Sequence, residues 1–549
     1  MMTEVVRARS ALTPYFNDFH ERTPYLFKRQ AIQNCLYGVD IDSGAVEIAK
    51  LRLWLSLVVD EEETQHIKPL PNLDYKIVSG NSLLGFPFKS KGLHEVEILK
   101  QQYLDESDHD AKVKLKTSID RELRACFASS KASLGYEVSF DFEAFFSEVF
   151  TVRKGFDVVI GNPPYINIEK ISEQDRATYL KIYGENGKLG KRYDVYQLFI
   201  MKGMGLDAMG GTLAYILPNT FLMGSSYLIL RRRLCSRTSI SAIVDLPQNV
   251  FESATVDNVL LFIRRATKPG HQINIAALNT DSSLSRVSSR DWDDFFTISQ
   301  DDLNEENQFK INVHMNPLLQ SLFAKIESGS VQLGDITESS QGIIIYKTEE
   351  DATRNLHTSF KNHKGWKKLL RGTNIGYYCT KWKGEYIHYG DWLWCPRDEK
   401  YFDRPKLLLH AMRNKGLKRR LVATYDDESH YNAHNLANII AKDGSGYDLK
   451  YVLGIFNSAL INFWYRNHFP NVNINPNDFR QIPVRTADKR TQTSVVDLVD
   501  KILTAKRRNP EADTSALECE IDRAVFALYD LSDKEIAIIE GSHRKVTRG

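Results

Sequence analysis

Residues 156–165 read FDVVIGNPPY: an apolar, largely β-branched run halted by glycine, asparagine, two prolines and a tyrosine. Val and Ile favour a strand. Pro163 and Pro164 fix φ and supply no amide donor, so that strand cannot run on. Asn162 is itself restricted because a proline follows it. The stretch therefore reads as a buried strand with a preset loop at its tip. There the Asn162 side-chain carbonyl and the Pro163 backbone carbonyl are two fixed acceptors, and Tyr165 offers a flat ring. Two acceptors beside a ring suit a planar exocyclic amine.

Similar runs lie on both sides. CLYGVDI (35–41), YKIVSG (75–80), GTLAYILP (211–218), ISAIVDL (240–246) and NVLLFIRR (258–265) all have strand character. Helical patterns separate several of them, including 44–59 and 194–209. Continuous apolar strands alternating with helices predict an α/β fold with a mostly parallel sheet. Residues 89–135 are highly charged with weak helical periodicity, and read as a helical insertion. The expected organisation is a first domain over 1–265, a connector over 266–330, a second domain over 331–485 and a helical tail over 486–549, in which 495–507 has the apolar face of a packing helix.

Composition narrows the class. The chain has 549 residues, 42% of them hydrophobic and 26% charged, the balance of a soluble globular protein. Its longest apolar stretch, LWLSLVV (53–59), cannot span a bilayer, and the first thirty residues carry no apolar signal core. A cytoplasmic protein without a membrane partner is expected. Six cysteines without a CxxC pair argue against a zinc ribbon or a secreted disulfide framework. The formal charge of +2 decides nothing by itself. RNKGLKRR (413–420) is a local exception: Arg413, Lys415, Lys418, Arg419 and Arg420 beside a glycine suit phosphate contacts.

GNPPY after an apolar strand resembles the catalytic motif of S-adenosylmethionine-dependent adenine-N6 DNA methyltransferases, of the type IIG restriction-modification and phage-defence kind. The segments LYGVDIDSGAVEIAKLRLWLSL (36–57), VSGNSLLG (78–85), GGTLAYILPNTFL (210–222) and VFESATVDNVLLFIRR (250–265) are similar to further motifs of that family, in the same order. The resemblance implies a Rossmann-like methyltransferase sheet over about 30–265. It implies Asp40 as the carboxylate receiving the cofactor's ribose hydroxyls, and Asn81 as the contact to the cofactor's adenine. Asn162, Pro163, Pro164 and Tyr165 would be catalytic. Phe251 would join Tyr165 in a stacking slot for a target base extruded from the duplex. The implied chemistry is direct methyl transfer, with no metal and no covalent enzyme intermediate. Residues 340–352, 367–378, 402–440 and 451–469 resemble successive pieces of the family's mixed α/β target-recognition domain, which implies double-stranded DNA as partner.

The family's glycine-rich cofactor loop, of the kind DPACGSGAF, has no counterpart here, because no glycine precedes Gly38. Nor is a nuclease evident. The sequence thus implies a second polypeptide supplying the loop or the nuclease, or else a catalytically silent DNA-recognition subunit or remnant. Protein-glutamine methyltransferases share NPPY, but the long, aromatic and basic second half disfavours them.

Overall fold

The computed structural model describes residues 2–12, 23–59, 73–86, 93–106, 108–128, 130–190, 192–247, 250–251, 257–278, 282–353, 356–413, 417, 419–469, 474 and 476–546. The chain divides into two compact units, Met1–Val313 and His314–Gly549.

The first unit is built on two sheets. Strands β1 (Gly38–Asp40) and β2 (Ile77–Ser79) form a parallel pair. The larger sheet contains β3 (Phe156–Gly161), β4 (Asp207–Pro218), β5 (Ser239–Asp245), β6 (Asn258–Arg264), β7 (Gln272–Ala277) and β8 (Asp294–Ser299), in the order β3-β4-β6-β5-β7-β8. Rather than mostly parallel, this sheet is mixed. β3–β4 and β5–β7 are parallel, whereas β4–β6, β5–β6 and β7–β8 are antiparallel. The link from β5 to β6 explains the departure. Parallel neighbours need a crossover of about a dozen residues or more, usually a helix, and here Leu246 pairs back onto Asn258 directly after β5.

Two further expectations change. The stretch 266–330 is not a connector: β7 and β8 complete the large sheet, and the first unit closes only at Val313. The strands are short, and β7 follows the loop-like ATKPGHQ, so their apolar signal is weak in sequence although Ile273 and Ile275 are fully buried. Nor is FDVVIG a buried strand. Among the described residues β3 is hydrogen-bonded on one side, to β4, and three of its six side chains are exposed, Val158 at 43% and Ile160 at 59% among them.

Helices complete the unit. Asp42 caps Ser43–Val58 by accepting from Gly44 N at 2.7 Å. Helices Leu93–Asp105 and His109–Ala128 make a pair whose inner side, Val96, Tyr103, Ile119 and Leu123, packs with Tyr75 and Ala144. The charged segment therefore carries a small core of its own.

The second unit holds a four-stranded antiparallel sheet, in the order Thr337–Gln341, Leu436–Ala441, Lys406–His410, Ala423–Asp426, and a smaller sheet that includes Lys367–Leu370 and Tyr431–Asn432. Its core joins the larger sheet to helices Leu449–Asn457 and Ala459–His468. The C-terminal helices Lys489–Arg508, Ser515–Leu528 and Asp533–Val546 contribute Val499, Ile502, Val525 and Ile539 to that same core, so residues 486–549 are an integral layer rather than a tail.

One side chain replaces a missing strand. Asn457 accepts from Ala423 N and donates to Ala423 O, both at 3.0 Å, in a fully buried position. Asn457→Ala is expected to destabilise this unit by about 1–3 kcal/mol, since it leaves the buried Ala423 N–H unpaired while Ala423 O keeps the bond it accepts from Tyr378 N at 3.2 Å. Urea denaturation compared with the unsubstituted chain checks this.

Candidate active site

A cleft of about 910 Å³ in the first unit is lined by residues 37–41, 80–83, 156 and 158–164, together with Phe142, Tyr179, Lys202 and Tyr215. Asp40, Asn81, Asn162, Pro163 and Pro164, spread over more than a hundred residues of sequence, thus border one space. They arrive there because β1, β2 and β3 each end at it.

Each end is locally specified. Asp40 closes β1, and its Oδ1 accepts from Asp42 N at 2.9 Å, which fixes the turn and leaves the rest of an exposed carboxylate free to accept hydroxyls. Asn81 follows β2 and accepts from Leu83 N at 2.9 Å. Its carbonyl keeps a second lone pair. Gly80 has no alternative: a Cβ there would collide with the Phe140 side chain. Tyr179, buried beside Asn81, has its phenol raised by burial, an effect the hydrogen bond from Asn81 partly offsets.

At the end of β3, Gly161 lets the ring of Tyr215 on β4 lie against the backbone. A Cβ at 161 would sit 2.8 Å from Tyr215 Cε1. Gly161→Ala is therefore expected to force the Asn-Pro-Pro-Tyr loop or the buried Tyr215 ring to move, with a loss of stability of about 1–3 kcal/mol. A thermal shift of the purified variant, read beside the unsubstituted protein, checks it. Beyond the prolines, Val195 N donates to Ile166 O at 2.7 Å and Ile168 N donates to Tyr193 O at 2.9 Å, so the segment 193–195 clamps the loop from behind.

Asn162 is exposed at the cleft and Pro163 is buried. Tyr165 donates its hydroxyl to Ile216 O at 3.3 Å, and burial pushes its phenol up to about 12. It is a neutral donor and a ring, not a base. Tyr165 and Phe251 are brought together, but edge to face, with centroids 6.4 Å apart at 72°. The parallel slot expected between them is absent, because rings meeting at that angle leave no gap in which a base could lie between two faces.

Several residues of this site carried no signal singled out in the sequence. Tyr196 stacks on Tyr227 at 5.7 Å and bonds Thr220 at 2.8 Å, and Tyr227 donates to Asp194 at 2.8 Å. This aromatic bed supports Tyr165, which meets Tyr196 edge-on at 6.3 Å. The stretch YDVY (193–196) contains two of the groups, Asp194 and Tyr196, yet beside a helical pattern it reads as core. Lys202 also borders the cleft, its ammonium lowered by burial and held up in part by Asp141.

The basic cluster in the second unit is corrected in part. Arg420 is buried, with its guanidinium 6.0 Å from the Tyr465 ring centroid. Arg419 pairs with Glu518 at 3.1 Å and lies 4.0 Å over the Tyr377 ring. Arg413 donates to Arg419 O at 3.3 Å. Guanidiniums are poor candidates for a phosphate patch once packed on aromatic rings and a carboxylate inside the fold. Lys415 and Lys418 lie outside the described residues.

Two segments of the chain are similar to families of restriction-modification proteins, a methylase and a specificity domain. Residues 34–251 match the family described as Eco57I restriction-modification methylase, and residues 367–484 match the TaqI-like C-terminal specificity domain. Among curated proteins, the chain is 24% identical to a type II restriction enzyme and methyltransferase of Methanocaldococcus jannaschii, over 93% of this chain and 50% of that one. It is 26% identical to the type II restriction enzyme and methyltransferase RM.Eco57I of Escherichia coli, over 57% of this chain and 26% of that one. The chain thus spans half or less of these relatives. The solved structure of the type IIL restriction-modification enzyme MmeI in complex with DNA aligns with all of this chain and 77% of that one, at 11% identity and a TM-score of 0.49. No helix among the described residues is long and apolar enough to cross a membrane.

Proposed function

We propose that this chain is the catalytic and target-recognition part of a DNA methyltransferase that acts on the N6 amine of adenine, with S-adenosylmethionine as methyl donor, in restriction-modification or phage defence. The observation that carries this reading is the convergence of Asp40, Asn81 and Asn-Pro-Pro at one cleft. The donor's adenosine end fits the residues present: Asp40 offers a free carboxylate at a strand end and Asn81 a spare lone pair. Its methionine end has no cradle among the described residues. When bound, the donor supplies an electrophilic methyl on a sulfonium.

The chain's own residues would do the rest. The adenine amine is a weak nucleophile because its lone pair is delocalised into the ring. Accepting hydrogen bonds from it at Asn162 and at the Pro163 carbonyl would favour the pyramidal, charge-bearing form that attack requires; the N–C bond would form as the donor's S–C bond breaks, and the methylated amine would then lose a proton to solvent. The prolines hold those acceptors in place before the base arrives, so little reorganisation is needed. Base extrusion costs a few kcal/mol, and stacking on an aromatic face returns about 1–3 kcal/mol. One face of Tyr165 suffices for that, once Phe251 swings from its edge-on position. In this reading Met1–Val313 is the catalytic unit and His314–Gly549 the DNA reader.

A second reading is favoured by the missing methionine cradle: a subunit that recognises DNA and is silent alone. Calorimetric titration of S-adenosylmethionine into the purified chain, alone and with a polypeptide bearing a glycine-rich loop, separates the two. Binding in either case supports the enzyme; no binding in both overturns it.

A further inference from the structure

We propose that Trp392, at the end of a row of four rings on the second unit, is a stacking site for an unpaired base of DNA, with the phosphates of that strand received by Lys361 and Lys364. The inference deepens the proposed function, on which it rests for the choice of DNA as the nucleic acid. It does not depend on methyl transfer.

The smaller sheet of the second unit builds the row. His363 meets Trp366 at 4.7 Å, Trp366 lies parallel to His388 at 5.2 Å and 4°, and His388 meets Trp392 at 4.3 Å. The middle pair follows from strand register. Lys367 stands opposite Ile387 in an antiparallel pairing, so Trp366, just before the one, comes beside His388, just after the other. Further on, Leu393 turns into the core, whereas Trp392 and Trp394 on either side of it remain 53% and 56% exposed.

Trp392 is fixed as well as exposed. Its Nε1 donates to His388 O at 2.9 Å, and its ring lies so close to Gly390 that a Cβ there would collide with it. Holding a side chain in one rotamer costs entropy. An indole held in this way while more than half of it stays in water is preorganised for a flat partner. Paired DNA does not offer one, since its grooves display base edges and neighbouring bases cover the faces. A base face is free only where a nucleotide is unpaired, and aromatic side chains take such bases by stacking.

Charge selects among flat partners. Residues 357–394 hold six lysines and Arg371 against Glu385 and Asp391, a formal +5 in a chain whose total is +2. Part of this charge is already answered: Arg371 pairs with Glu385, Lys368 with Glu428 and Lys381 with Glu511. Lys361 and Lys364, on either side of His363, are exposed and have no ion pair among the described residues. Lys347 adds an ammonium 4.7 Å from the Trp394 ring centroid. Such a border repels a cationic ligand and attracts a phosphodiester.

The test is fluorescence anisotropy of an end-labelled oligothymidylate of about twelve nucleotides, titrated with the full chain in the absence of S-adenosylmethionine. The expected result is saturable binding that weakens about tenfold or more in Trp392→Ala and keeps most of its strength in Trp392→Phe, whose ring also stacks. In the double variant Lys361→Ala, Lys364→Ala, the slope of log K against log salt should become shallower by about 1.4. Thermal unfolding of each variant beside the unsubstituted chain shows that the fold is kept. Trp392→Ala binding as tightly as the unsubstituted chain, or Trp392→Phe binding as weakly as Trp392→Ala, would overturn the proposal. So would a relaxed circular duplex that loses as much affinity in Trp392→Ala as the single strand does. Stronger binding of the matching oligouridylate would assign the site to RNA, and self-association through Trp392 in sedimentation would assign it to a second copy, each against the proposal. Methylation of DNA by a chain that fails these tests would remove the stacking site alone, and stacking by a chain that never methylates would contradict the enzymatic reading alone.

Discussion

Asn162→Ala is expected to lower methyl incorporation into plasmid DNA by about 10²–10³-fold, in a preparation competent to bind S-adenosylmethionine, and to leave thermal unfolding unchanged. The magnitude is that of removing one preset group that stabilises developing charge. Here the charge develops on the attacking amine, and Asn162 is an acceptor side chain exposed at the cleft. The fold should tolerate the change because Asn162 is exposed, while the neighbouring prolines and Gly161 hold the loop's shape. An Asn162→Ala protein that retains full activity would remove Asn162 from the chemistry.

The second large effect lies in the other unit. Asp426, Lys406 and His430 form a buried group: Lys406 Nζ meets Asp426 Oδ2 at 2.6 Å, His430 Nδ1 meets Oδ1 at 2.7 Å, and the His430 backbone N donates to Oδ2 at 3.1 Å. Burial pushes the Asp426 carboxyl up, but His430 and Lys406 outweigh it and hold it at about 2. Burial likewise draws the Lys406 ammonium down, against the pull of Asp426. The Glu428 backbone N is a fourth donor to this carboxylate, to Oδ1 at 3.4 Å. Asp426→Asn leaves a buried ammonium without its counter-charge and is expected to cost about 3–5 kcal/mol. Denaturation followed by tryptophan fluorescence reads this unit well, because five of the seven tryptophans lie in it. The sign of the pH effect follows from a carboxyl held low in the folded state. Its stabilisation is fully present above the ordinary value near 3.8, and roughly 2 kcal/mol is lost as pH falls from about 4 towards 2. In Asp426→Asn that part of the acid sensitivity should disappear.

How much of this could be read from sequence depends on the kind of signal. FDVVIGNPPY declared itself because prolines and β-branched residues act locally, through φ and χ1, without reference to the rest of the fold. Asp40 and Asn81 were singled out through the resemblance of their segments to the family's motifs, and both border the cleft, Asp40 at the end of β1 and Asn81 two residues after β2. Topology was less accessible. Whether β6 lies parallel or antiparallel between β4 and β5 is set by a link whose length alone does not tell a hairpin return from a crossover. The exposure of β3 was hidden because its exposed Val158 and Ile160 are as apolar as the residues of an interior strand. Arg419 and Arg420 show the opposite error. A run of cations reads as a solvated patch, and only the fold reveals Tyr377, Tyr465 and Glu518 around them. The edge-on meeting of Tyr165 and Phe251 is likewise a matter of side-chain angle, which residue type does not encode.

The most direct test of the central claim, that the Asn-Pro-Pro-Tyr loop receives the amine of an adenine, is nucleoside mass spectrometry of plasmid DNA. The DNA would be incubated with the chain, S-adenosylmethionine and a polypeptide bearing a strand and glycine-rich loop. N6-methyladenine as the methylated product, lost in Asn162→Ala, is the predicted result. A methylated cytosine instead, or no methylated nucleoside from a complex that binds the donor and DNA, would contradict it.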